Sequence, residues 1–369
     1  SVYHTGDGGT SNTIYGLNAG VALASGGNYN VLLGEGAGAA LTTGDNNVAI
    51  GYLAFDAAAD DESWNVAIGV NAMGACNQSD HANADIDDNT AVGYNALFGG
   101  DFSSANVNLT KNVALGYGAM DGTGALGGNE NVFIGNDAGG GTWSTSESNQ
   151  NVGIGSYTMD AVMNGALGNI AIGYDALGSL TEGDYNTVVG FDAGDSITTG
   201  IGNVILGSGA GNGTTDVDNA VIIGRGAGQG VMTGSGGADG TVAIGYASLN
   251  ALTSGERNTA VGYGVLAVCT DGKNNTAVGY EALSQNMNVG DANTAVGSKC
   301  LYNYDPAAND EGKNTAIGSY SGYELLAGEL NTYVGNDAGY YNETGDNNTY
   351  VGESAGVGVN NNSNSNNTA

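Results

Sequence analysis

Asn47-Val48-Ala49-Ile50-Gly51-Tyr52-Leu53-Ala54-Phe55 returns as Asn89-Thr90-Ala91-Val92-Gly93-Tyr94-Asn95-Ala96-Leu97, and again as Asn275-Thr276-Ala277-Val278-Gly279-Tyr280-Glu281-Ala282-Leu283. Aligned on its central glycine, this nine-residue phrase fills the chain from Asn12 to Gly356 in about nineteen copies. Asn314, Asn331 and Asn348 open successive copies about 17 residues apart, whereas other intervals, such as Asn65 to Asn89, are longer. A fixed phrase with variable inserts is the signature of a solenoid. The predicted fold is therefore all-β, a parallel β-solenoid shaped as a flattened β-roll of about nineteen coils.

Columns of the alignment carry the physical argument. The fourth position is aliphatic, as in Leu33, Ile50, Ile68, Val92, Ile172 and Val351, and the eighth is small. Period-two alternation places both with the second position, Thr or Val, on one side of a short strand, predicted to be the core. The polar seventh position then faces water or a partner chain. Glycine at the fifth position, as in Gly51, Gly93 and Gly173, implies either a positive φ or close backbone approach. Stacked asparagines such as Asn258, Asn275, Asn293 and Asn314 are predicted to form a ladder that pins the register. The copies at Asn219–Gly224 and Thr241 depart from the phrase, so a bulge or a broken ladder is expected there.

At roughly 3.3 Å per residue a coil has a perimeter near 55 Å, room for two short strands and two turns; at about 4.8 Å per coil the stack is on the order of 90 Å long. A gap that thin favours alanine, valine and isoleucine, and the chain holds only 5 Phe and 2 Trp. Residues 12–357 form the repeat domain, with a joining segment at 1–11 and an Asn-rich joining tail at 358–369. Gly-Asp-Asn clusters such as Gly44-Asp45-Asn46 mark turns, and longer inserts fall between phrases. The chain opens at Ser1, which reads as a processed segment.

Glycine supplies 68 residues and proline one, which excludes collagen and proline-rich disorder. Asp and Glu number 38 against 6 Lys and Arg, a net charge of -32, which excludes nucleic acid as a partner. Such acidity suits a saline or calcium-containing exterior. No apolar stretch is long enough to span a bilayer, so membrane insertion is not expected. Cys76, Cys269 and Cys300 form no disulfide framework; Cys300, at the small eighth position, reads as a buried alanine substitute.

The phrase Asn-Val-Ala-Ile-Gly at Asn47 and Asn-Thr-Ala-Ile-Gly at Asn314 resembles the head repeats of YadA-like trimeric autotransporter adhesins and similar repeats in bacteriophage tail fibres. The resemblance covers nearly the whole chain and implies a left-handed parallel β-roll, commonly with three chains side by side. A membrane-anchoring barrel and a heptad stalk are missing from this sequence.

Tyrosine recurs at the sixth position; Tyr94, Tyr263 and Tyr280 read either as cross-coil packing or as a strip for glycans or a neighbouring chain. Trp64, Phe102 and Trp143 are further candidates for partner or ligand contact. Acidic turns at Asp60, Asp61, Glu62, Asp216 and Asp218 are candidates for shared calcium, although the repeated RTX spacing is missing. No other cofactor is required, and no nucleophile motif points to an enzyme. A threonine column at Thr259, Thr276 and Thr294 raises an ice-binding reading, set aside because the second position is expected to face the core. The expected role is an extracellular structural fibre or filament subunit that associates with itself and is adhesive through its inserts. The alternative is a trimeric bacteriophage tail fibre or adhesin head on the virion or cell surface, binding host-surface glycan.

Overall fold

A computed structural model of the chain describes residues 9–77, 85–100, 108–124, 126–144, 146–233, 237–285, 289–306, 312–359 and 364–369. The fold is a parallel β-solenoid, and among the described residues every regular element is a three-residue strand and none is a helix. The chain divides into two compact units, residues 1–185 and 186–369. Unit 1 carries β1 (Thr13–Tyr15), β2 (Val31–Leu33), β3 (Val48–Ile50), β4 (Val66–Ile68), β5 (Thr90–Val92), β6 (Val113–Leu115), β7 (Val132–Ile134), β8 (Val152–Ile154) and β9 (Ile170–Ile172). Unit 2 carries β10 (Thr187–Val189), β11 (Val204–Leu206), β12 (Val221–Ile223), β13 (Val242–Ile244), β14 (Thr259–Val261), β15 (Thr276–Val278), β16 (Thr294–Val296), β17 (Thr315–Ile317), β18 (Thr332–Val334) and β19 (Thr349–Val351).

Each strand occupies positions two to four of one phrase and pairs in parallel with the same positions of the next: Val48 with Val66, Ala49 with Ala67, Ile50 with Ile68. Where a second strand was expected, the coil instead makes turns. The reason lies in the backbone: Gly51 has φ 145°, and positions seven and nine adopt the left-handed region, Leu53 at 52° and Phe55 at 54°. Left-handed backbone is costly for a residue with a side chain. Hydrogen bonds to both neighbouring coils offset that cost: Leu53 N–H donates to Glu35 O (3.0 Å) and Phe55 N–H to Ala72 O (2.9 Å). The strand side closes in the same way, Val48 N–H to Asn65 O at 2.8 Å, so inter-coil bonds satisfy both walls.

Glycine at the fifth position answers to both constraints left open by the sequence. Its φ is positive, and a Cβ on Gly51 would lie 2.2 Å from Gly69 O in the next coil. A side chain there would push adjacent coils apart.

The asparagine ladder is present and buried. Asn47 Oδ1 accepts from Asn65 N–H (3.0 Å), while Asn47 Nδ2 donates to Glu62 O (2.8 Å). Each amide thus ties the start of one coil to the end of the same turn and to the coil above. In unit 2 the ladder lapses at Ala220, whose N–H still donates to Asn203 Oδ1 but which has no amide to pass on. β12 keeps its register, Val221 opposite Val204, so the departure is a broken ladder without a bulge.

Strand orientation corrects the expected core. The third position points inward: Ala49, Ala67, Ala91 and Ala171 are fully buried. The second and fourth positions point outward and are only partly covered. Period-two reasoning fails when carried across the glycine, because the left-handed turns reset the phase, so the eighth position returns inside (Ala54, Ala72) together with the ninth (Phe55, Met73).

Positions three and nine face each other and divide one space between them. Where the third is alanine the ninth is large: Ala49 with Phe55, Ala67 with Met73, Ala114 with Met120, Ala277 with Leu283. Where the third is large the ninth is glycine: Leu32 with Gly38, Phe133 with Gly139, Ile222 with Gly228, Tyr333 with Gly339. A Cβ on Gly139 would stand 2.8 Å from the Phe133 ring, and one on Gly339 2.7 Å from the Tyr333 ring. Ala316 with Gly322 departs from the rule, and there Tyr333 of the next coil leans into the space. Interior volume is thereby held nearly constant at close packing.

Residues 364–369 continue the ladder. Asn367-Thr368-Ala369 repeats the start of the phrase; Asn367 N–H donates to Asn348 Oδ1 (3.0 Å) and Val351 N–H to Ala369 O (2.8 Å). The tail is thus hydrogen-bonded to the preceding coil as one further rung.

Candidate functional site

Two outward columns, positions two and four, make an aliphatic band on the solvent side of the sheet within each unit. In unit 1 it runs through Val48 and Ile50, Val66 and Ile68, Val152 and Ile154, and Ile170 and Ile172. Ile172 is 38% exposed while Ala171 beside it is 0% exposed. Globular proteins ordinarily arrange these sizes the other way round. Here the bulky β-branched residues supply strand propensity but are only partly covered by their own unit. In unit 2 the second position becomes threonine at Thr259, Thr276, Thr294, Thr315, Thr332 and Thr349. This column stands outside, which overturns the ground on which the ice-binding reading was set aside.

Tyrosines of the sixth position flank the band. Tyr94 stacks on Tyr117 with ring centroids 5.1 Å apart, and Tyr263 lies between Tyr246 (5.0 Å) and Tyr280 (5.4 Å). All are exposed on their outer faces. Cross-coil packing and an aromatic strip are thus the same object: rings that stack along the unit present their remaining surface to water. Lys299 joins the surface over Tyr302 at 4.7 Å.

Of the remaining contact candidates, Trp64 is exposed and adopts φ 58°. Trp143 is buried, its Nε1–H donating to Gly139 O at 3.3 Å, so it packs inside unit 1 and offers no outer contact. Phe102 lies outside the described residues.

Of the acidic residues considered for calcium, Glu62, Asp216 and Asp218 have hydrogen-bonded carboxylates. Glu62 is buried and accepts from the N–H groups of Ala59 (3.1 Å) and Asp60 (2.9 Å). Asp218 Oδ1 accepts from Ile201 N–H at 2.8 Å, and Asp216 Oδ1 from Thr215 Oγ1 at 3.0 Å. Asp60 lends its backbone carbonyl to Thr43 and Gly44, and Asp61 lends its own to Ser63 Oγ. Among the described residues, no group of three or more His, Cys, Asp or Glu side chains is placed to hold a metal ion.

Asp218 belongs to a second ladder that the sequence reading missed. Two residues before the phrase, Asp87, Asp184, Asp239, Asp291 and Asp346 accept from backbone N–H groups of the preceding coil: Ser63, Leu167, Asp218, Lys273 and Glu329. The recurrence of Asp, Asn, Ser or Thr at this offset is the signal that could have found it. Part of the chain's acidity therefore closes turns.

The three cysteines are free and buried. Burial pushes the thiols of Cys269 and Cys300 up to about 12 and raises that of Cys76 further, so they are inert packing groups. No protein-family model and no curated protein sequence matches the chain.

Proposed function

We propose that this chain is an extracellular structural fibre or filament subunit, and that it associates with copies of itself through the outward aliphatic band of its sheet. The supporting observation is the inversion of side-chain size across the strand: isoleucine and valine out, alanine in. Contiguous exposed apolar surface on a soluble protein marks an interaction site. A second copy is the natural occupant, because a band repeating at the strand spacing is matched in period by another copy of itself. The chain's acidity, 38 Asp and Glu against 6 Lys and Arg, keeps other faces apart and leaves the band as the surface of least repulsion. The phrase's resemblance to adhesin heads and tail fibres supports the extracellular placement.

Multi-angle light scattering across a dilution series tests the reading. The wild type is expected to be oligomeric, and replacing Ile154 and Ile172 together by lysine to dissociate it while the fold, followed by circular dichroism, persists. A wild type that stays monomeric at every concentration refutes the proposal. A mass of three chains favours the tail-fibre or adhesin form over an open filament.

A second reading rests on the corrected orientation of the threonines. Six in-register outward threonines on β14 to β19 form a regular hydroxyl column, a surface suited to ordering water as ice. Measurement of thermal hysteresis decides it, and none would remove the reading.

A further inference from the structure

In unit 2 the column of outer rings has a gap over the coils of β11 and β12, between rings on the coils of β10 and β13. In the sixth column, Phe191 and Tyr246 are separated by Ser208 and Arg225. In the seventh, two successive coils carry glycine, Gly209 and Gly226, where most others carry a side chain. A Cβ on Gly209 or Gly226 would meet nothing nearer than the Gln229 amide at 3.7 Å, so the omission leaves open space. The result is a cavity of about 300 Å³, the lower end of the range for small-ligand sites and enough for one sugar ring. The asparagine ladder also breaks on these coils, at Ala220 and Thr241. Local violations of a rule kept elsewhere are where functional sites are expected.

The lining has a definite chemistry. Two exposed aromatic rings, Phe191 and Tyr246, stand at either end. Arg225 sits between them, its guanidinium carbon 5.9 Å from the Tyr246 ring centre. Lys111, Lys299 and Arg257 each lie beside a glutamate, whereas Arg225 has no ion pair among the described residues. Asn250 Nδ2 donates to Gly226 O (3.0 Å) and to Gln229 Oε1 (3.2 Å). That arrangement fixes both amides and leaves Asn250 Oδ1 as acceptor and Gln229 Nε2 as donor for a ligand.

We propose that this cavity binds a carboxylated sugar residue of a polysaccharide, a uronate or similar acid. The ring's apolar face stacks on Phe191 or Tyr246, its hydroxyls meet the fixed amides, and its carboxylate pairs with Arg225. A planar, permanently charged fork beside a ring is the side chain best matched to a carboxylate. A neutral sugar would leave the guanidinium unused; Asp192, which also lines the cavity, accepts from the sugar's hydroxyls and leaves Arg225 as the partner of its carboxylate. The site is independent of the self-association proposed above, since it lies off the aliphatic columns.

The test is titration calorimetry of the full chain with oligogalacturonate and with its fully methyl-esterified counterpart, at or above physiological ionic strength, where the Debye length is about 8 Å or less and the net negative charge is screened. The acid is expected to bind at least about tenfold more tightly than the ester. Arg225→Gln should abolish that preference. Gly226→Asn should abolish binding, and because asparagine holds the same position at φ 52–58° in Asn18, Asn71 and Asn95, it is expected to fold. Arg257→Gln, which loses an arginine already paired with Glu256, should change nothing. Failure of the acid to bind, equal binding of acid and ester, or full binding by Arg225→Gln would each overturn the proposal, with unchanged melting curves confirming that the variants are folded.

Discussion

The coil that begins at Asn275 and the coil that begins at Asn331 fill the same interior from opposite walls. In the first, Ala277 on the strand faces Leu283 on the turn; in the second, Tyr333 on the strand faces Gly339, and Asn342 Nδ2 donates to the Tyr333 hydroxyl at 2.6 Å. Side-chain identity is exchanged freely between walls provided that the pair is large with small. The unit of selection in this core is therefore the facing pair, and neither column is conserved in size by itself.

Disturbing one member of a pair gives the largest effect. Leu283→Gly should cost about 3–5 kcal/mol by opening a cavity, and Ala277→Leu about 1–3 kcal/mol by overpacking. Combined, they recreate the Leu32 and Gly38 arrangement, and the double variant should be more stable than the sum by at least ~1 kcal/mol. Additive losses in denaturant titrations would show that the walls are independent.

The rungs connecting the two kinds of coil come next. Asn275→Ala removes the acceptor of the Asn293 N–H and a donor to the Gly290 carbonyl, a loss of about 2–3 kcal/mol. The reverse change, Ala220→Asn, restores an amide to the broken ladder and should add about 1 kcal/mol. A lower melting temperature for Ala220→Asn would mean that the gap is needed for packing.

The outer side of the strand should scarcely matter to folding. Val278→Thr, which imposes on the fourth column the residue already found in the second, should stay within about 0.5 kcal/mol.

The smallest effect concerns the outer acids of unit 1. Burial, and then the carboxylates of Asp137, Asp121 and Asp175, raise Asp160 from 3.8 to about 6. A raised acid keeps its proton more readily when folded, so stability falls as pH rises from about 4 to about 6. Melting temperatures of the wild type should decline slightly across that window, and those of Asp160→Asn should decline less.

Much of this was legible from Asn47 to Phe55 alone. The phrase located each strand, because a tetrad such as Val-Ala-Ile-Gly recurs where each strand stands, and it located the asparagine rungs, because a buried amide at a fixed offset has few other uses. Which side faced in was not legible. A three-residue strand fits either phase of a two-residue period, and the usual guide, that larger apolar residues go inside, misleads when the interior is too narrow to admit isoleucine opposite phenylalanine. The cavity at Arg225 was hidden for a different reason: it depends on the sixth, seventh and tenth positions of successive coils becoming neighbours, which only the left-handed turns bring about.

Because every rung takes its partners from the phrase before and the phrase after, the fold tolerates changes in copy number. Unequal exchange between repeats in the gene would add or delete a whole turn, and outside the coils of Ala220 and Thr241 the new junction would again set asparagine on asparagine and glycine on glycine. Such a molecule can lengthen or shorten over generations without reinventing its core, while inserts like the one between Met73 and Asn89 vary beside it.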